Sequence, residues 1–151
     1  MNRGLLLLIA ITVMLVACPG SDSKKLGVDN GRLAPCPKSP NCVSSQSDDE
    51  KHYIAPIEYD GDLQEAQEKL IALLQSMKRS RIVTVENSYI QAEFTSAIFR
   101  FVDDVEFYLD DNTKTIHMRS ASRVGKSDLG VNRKRMEDLR ARFRALADTK
   151  E

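Results

Sequence analysis

Two alternating runs that meet at one tight turn constrain this chain more than any other feature. Side chains alternate across a β-strand, so residues two apart share a face. From Arg100 to Leu109, the alternation places Phe101, Val105, Phe107 and Leu109 on one side, and Arg100, Asp104, Glu106 and Tyr108 on the other. From Thr115 to Val124, it places Ile116, Met118 and Val124 inward, and His117, Arg119 and Arg123 outward. Asp110 to Lys114 is turn chemistry between them, so the two runs predict a hairpin. One face of that hairpin is apolar and the other carries guanidinium and carboxylate groups.

The neighbouring segments extend this sheet. His52 to Tyr59 is a short strand candidate that Pro56 demotes to an edge. Arg81 to Val85 is β-branched, and Tyr89 to Ser96 alternates again. Leu63, Ala66, Leu70, Leu73, Leu74 and Met77 form a helical stripe that Asp62 can cap. Met136, Leu139, Phe143 and Leu146 form a second stripe, on a helix from about Asn132 to Ala147. The predicted order is β-α-β-β-β-β-α. It implies a two-layer α+β fold, with a mainly antiparallel sheet of about five strands and two amphipathic helices on one face. The charged face is then left open or is covered by the N-terminal cysteine loop. The length of 151 residues suits one such domain, expected over 35–148.

The N-terminus reads as an address. Met1 to Arg3 give a basic start, and Gly4 to Ala17 are apolar over about 14 residues, short of the roughly 20 that span a bilayer. Leu15-Val16-Ala17-Cys18 is similar to the lipobox of bacterial lipoproteins, which makes residues 1–17 a signal peptide and Cys18 the acylated residue. The expected partner of Cys18 is the lipid bilayer. The expected place is the bacterial cell envelope, facing the periplasm. Pro19 stands where an Asp would favour retention at the inner membrane, so the outer membrane is the expected site. Residues 18–34 then read as the lipidated cysteine and a flexible tether, on composition.

Cys36 and Cys42 enclose Pro37-Lys38-Ser39-Pro40-Asn41. In an oxidising compartment, a close pair reads as a disulfide. A metal pair would want more ligands than His52 and His117 offer, and a redox dithiol favours a tighter spacing. No metal and no cofactor is expected. The chain lacks a P-loop, a dinucleotide glycine motif and a zinc-protease motif, and Ser44, Ser45, Ser96, Ser120 and Ser122 lie in no nucleophile motif. With 22 basic and 22 acidic residues, there is no bulk attraction to nucleic acid. Arg133, Lys134, Arg135, Arg140, Arg142 and Arg144 are interleaved with Glu137 and Asp138, as on a solvated helix face.

The charged strand residues allow a bland reading and a sharp one. In the first, Asp104 or Glu106 pairs across the hairpin with Arg119, contributing roughly 0.2–1 kcal/mol per pair. In the second, Arg100, Asp103, Asp104, Glu106, Arg119, Ser120, Ser122, Arg123, Asp128, Asn132 and Arg133 form one polar pocket. Arginine forks suit carboxylate or phosphate, and a helix start near Asn132 adds N–H donors for an anion.

The stretches CPKSPNCVSS (36–45), FVDDVEF (101–107) and RSASRVG…DLGVNRKR (119–135) closely resemble the domain-of-unknown-function family 1499. The resemblance runs from about Leu33 to Leu146. It implies a shared domain but no assigned activity, and it marks Cys36, Cys42, Asp103, Asp104, Glu106, Arg119, Ser122, Arg123, Asp128, Asn132 and Arg133 as a common set. The leading expectation is a membrane-tethered periplasmic binding or interaction module whose Arg-, Asp- and Glu-lined polar site takes an envelope ligand or protein. One alternative is an envelope hydrolase using Asp103, Asp104 or Glu106 as acid or base. Another is a purely structural ionic network.

Overall fold

The computed structural model describes residues 26–148. The apolar leader, Cys18 and most of the expected tether lie outside the described residues. The fold is α+β, with two helices, a six-stranded antiparallel sheet and a separate two-stranded hairpin. The strands are β1 (Val28–Asp29), β2 (Arg32–Leu33), β3 (Cys42–Ser44), β4 (Ile57–Glu58), β5 (Ser80–Glu86), β6 (Tyr89–Thr95), β7 (Val102–Asp110) and β8 (Thr115–Ser122). Helix α1 (Leu63–Ser76) lies between β4 and β5, and α2 (Val131–Asp148) follows β8. The main sheet runs β3-β8-β7-β6-β5, with β4 also paired to β8.

The hairpin expected from the alternation is β7–β8, in register from Asp103 opposite Ser122 to Asp110 opposite Thr115. One sheet face carries Ile90, Ala92, Phe94, Val105, Phe107, Leu109, Ile116 and Met118 into the core. Helix α1 adds Ala66, Leu70, Leu73 and Leu74, and α2 adds Met136, Leu139 and Phe143. Fully burying such a side chain stabilises by about 1.5–3 kcal/mol. Asp62 caps α1 as its position predicts, accepting the Glu65 N–H at 2.7 Å.

Several expectations are corrected. The strand expected at His52 to Tyr59 is only β4, because the Ser44–Tyr53 bridge and a turn at 49–52 occupy its first half. Phe101, Val124 and Leu146 are exposed rather than inward, because β7 and β8 start and stop short of the first two and the third lies beyond the buried turns of α2. β3 escaped the periodicity, being shorter than an alternation test can register.

The largest difference concerns the tether. Residues 28–33 form β1 and β2 around Asn30-Gly31, whose φ angles of 49° and 75° suit a type I′ turn. Composition favours a coil there, but Asn-Gly is itself a strong hairpin signal. This hairpin lies across the charged sheet face, where a Cβ added at Gly31 would stand 3.7 Å from the Tyr108 hydroxyl. The cover of that face is therefore this hairpin together with the disulfide loop.

Candidate functional site

Antiparallel register aligns the charged groups in rows. Gln91, Glu106, Arg119 and Ser44 lie side by side across β6, β7, β8 and β3, as do Glu93, Asp104, Ala121 and Cys42 in the next row. Arg119 Nη1 donates to Glu106 Oε2 at 2.8 Å. Glu106 Oε1 accepts the Tyr89 hydroxyl at 2.9 Å and the Gly27 N–H at 2.7 Å. Glu106 is 0% exposed and Arg119 1%. Burial, reinforced by the neighbouring Glu106 carboxylate, pushes the Tyr89 hydroxyl well above its ordinary pKa, so the phenol stays a proton donor. This cluster is sealed, with the N-terminal strap bonded directly to its carboxylate.

The second row is more open. Arg123 Nε donates to Asp104 Oδ2 at 3.0 Å, and its Nη2 reaches both Asp104 Oδ1 and Glu93. Arg81 Nη2 joins Glu93 at 2.6 Å. Burial pulls the Glu93 carboxyl upward, but the hydrogen bonds from Arg123 and Arg81 outweigh it and hold the group below its ordinary value. The same bonds, with Asp104 foremost, raise the Arg123 guanidinium.

Asp103, Ser120 and Ser122 face the opposite side of the sheet, towards α2. Arg135 Nη2 donates to Asp103 Oδ2 at 2.6 Å, while its guanidinium stacks 4.8 Å from the Phe94 ring centroid. Asn132 is the hub of this cluster. Its Oδ1 accepts the Ser120 hydroxyl and Arg135 Nη1, and its Nδ2 donates to the Asn41 carbonyl and the Ser122 hydroxyl. Asp128 accepts the Gly130 and Asn132 N–H groups, so it occupies donors of the helix start that an anion would need. Arg133 spans to the Tyr53 and Lys51 carbonyls. Arg100 stands exposed in the 96–101 loop at φ 54°, before β7 begins.

The single pocket envisaged from sequence is thus two clusters with a sheet between them. Asp104, Glu106, Arg119 and Arg123 share one face, as alternation predicts. Asp103, Ser120, Ser122 and Asn132 lie on the other, Asp128 and Arg133 serve the start of α2, and Arg100 joins neither. Alternation also forbids Asp103 beside Asp104, or Ser120 beside Arg119, on one face. That signal was present in the sequence.

Cys36 and Cys42 are joined, as the close pair predicts, with Cα atoms 5.6 Å apart, and brace the loop before β3. Beside it lies a cleft of about 1000 Å³ between the β1–β2 hairpin, residues 34–38 and the turn at 44–52. Arg32, Lys38, Gln46 and His52 are among its lining. Ser45 Oγ lies 3.4 Å from His117 Nδ1, but it already accepts the Met118 N–H, a contact that no linear motif encodes. Among the described residues no group of His, Cys, Asp and Glu side chains is arranged to hold a metal ion.

His117 stacks on Tyr108, and burial lowers its pKa from the ordinary 6.5 despite the Asp110 charge. The unfolded chain therefore takes up this proton more readily than the folded one. Stability is fully present above about pH 6.5 and falls as the pH drops below it. A melting series from pH 8 to 5 should show that loss, and His117→Gln should flatten it.

No curated protein matches the chain. One family model, described as a protein of unknown function, matches residues 32–143, which takes in β2 and every element from β3 into α2. The match spans both ionic clusters and the disulfide. The chain therefore belongs to the family of proteins of unknown function DUF1499.

Proposed function

We propose that this protein is a lipid-anchored, periplasm-facing binding module of the bacterial outer membrane, and that it takes a polar ligand in the cleft beside the disulfide. The observation that carries this reading is the cleft itself, about 1000 Å³ in size and walled by separate segments that the Cys36–Cys42 bridge braces. That volume is at the upper end of the usual range for small-molecule sites. Arg32 and Lys38 line it together with Asp29, Asp48 and Asp49, so it favours a polar ligand bearing both an anionic and a cationic group. The ionic residues singled out by the family motif act as the frame. Their carboxylates are spent on arginines, which leaves Asp103, Asp104 and Glu106 poorly placed as acid or base. The apolar leader ending at Cys18 supports the lipid anchor.

The test is native mass spectrometry of the full chain extracted in detergent from the envelope of the cell that makes it. The expected spectrum carries diacylglyceryl at a new N-terminal Cys18 and an additional non-covalent mass. Arg32→Glu with Lys38→Glu should lose that non-covalent mass, whereas Arg123→Ala should keep it. A wild-type chain with no additional mass, or variants indistinguishable from it, would sink the cleft reading. An unprocessed leader would sink the anchor independently.

A further inference from the structure

The end of the sheet where β7 begins and β8 stops is apolar on the outside. Ile98 is 82% exposed, Phe99 72% and Leu129 94%, and Phe101, Val124 and Val131 are exposed beside them. They come from the 96–101 loop and the 123–131 segment. The Arg123 N–H bonded to the Val102 carbonyl ties these loops together, and Val131 shares a cleft of about 700 Å³ with Ser96 and Ala97. The rings of Phe99 and Phe101 stack on each other at 5.6 Å, so they do not cover the patch with anything polar. A cluster of this kind marks an interaction site rather than ordinary surface.

Charge identifies the occupant. Lys78, Arg100, Lys126 and Lys134 are exposed around the patch. The nearby acids are already engaged: Asp103 by Arg135, Asp104 and Glu93 by Arg123, Asp138 by Arg142, and Asp128 by backbone N–H groups. What remains facing outward is a ring of cations about a tip of aliphatic and aromatic side chains. We propose that this end of the domain docks on the surface of an anionic lipid bilayer, with Ile98, Phe99 and Leu129 entering the interface and the lysines meeting lipid phosphates. This combination of apolar anchors and basic rim is what interfacial binding requires.

The path of the chain permits it. Gly27 sits on Glu106, and Leu26 lies beside Glu86 to Tyr89, towards the β5–β6 turn. From Tyr108, opposite Tyr89, back to Phe101 is about 23 Å of strand. The residues between Cys18 and Leu26 reach about 27 Å when extended. An anchor at Cys18 can therefore share a bilayer with the apolar end. The inference rests on the lipid-anchor reading only for delivering the domain to the membrane. It adds a second contact that sets the domain's orientation.

The chain contains no Trp, so a single indole is an unambiguous reporter. Phe99→Trp places it in the patch, and Val85→Trp, exposed near the far turn of β5–β6, serves as the control. Each full-length chain is reconstituted into vesicles of phosphatidylcholine alone or mixed with phosphatidylglycerol. The Phe99→Trp emission should shift to the blue and be quenched by brominated acyl chains when phosphatidylglycerol is present. Lys78→Glu with Lys134→Glu should reverse that shift, as should 1 M salt. Equal quenching at both positions, equal quenching in neutral vesicles, or none at all would overturn the docking. Flotation reads the anchor separately: a chain that floats with an unquenched indole keeps its tether and loses the docking, and one that stays behind loses both.

Discussion

Arg119→Ala should cost about 3–5 kcal/mol in urea unfolding of the full chain, the largest single loss expected here. The reason is asymmetric. Glu106 has no exposure, and without Arg119 its carboxylate keeps only the Tyr89 hydroxyl and the Gly27 N–H. A buried charge missing its counter-ion is far costlier than the intact pair is favourable. Arg119 Nε is itself buried without a partner among the described residues, so the pair already carries an unmet cost. Replacing both charges should therefore be mild. Glu106→Gln with Arg119→Met keeps an acceptor for Tyr89 and Gly27 and fills similar volume. It should recover most of the loss. If the double variant is as unstable as Arg119→Ala, the carboxylate was not the source of the penalty.

Asn132→Ala should cost about 3 kcal/mol, the next largest effect. Its amide satisfies the Asn41 carbonyl and the Ser122 hydroxyl, and its carbonyl receives Ser120 and Arg135. Truncation strands several buried groups at once, each costing about 1–3 kcal/mol if unpaired and partly relieved by rearrangement. The same side chain links the first turn of α2 to β8 and to the residue before β3. Hydrogen exchange should therefore quicken together at the start of α2 and around Asn41. Ser122→Ala, which removes one member of the cluster, should cost about 1 kcal/mol. Equal losses for the two variants would show that Asn132 is not the hub.

These predictions place the family's polar residues in the framework, which bears on how the sequence was read. The period-two pattern identified β7 and β8 and put Asp104, Glu106, Arg119 and Arg123 on one face. It did so because the pleat alone decides which side chains share a face. Asp62 and the stripe after it located α1 for the same local reason. The polar composition of residues 18–34 masks the β1–β2 hairpin, whose one local signal is its Asn-Gly turn. β3 and β4 were beyond any pattern, since strands this short are held by pairing to β8 rather than by their own periodicity.

By itself, then, the amino-acid sequence determined the α+β class, the limits of both helices to within a residue or so, and the charged and apolar faces of the central hairpin. Only the tertiary structure decided whether the charged face would be a site or an interior. The contact that closes it joins Gly27 to Glu106, 79 positions apart. Local periodicity sets the direction of a side chain, but burial depends on what the rest of the chain lays over it. Here a short strap turned a row of ionic groups from a surface into a sealed joint.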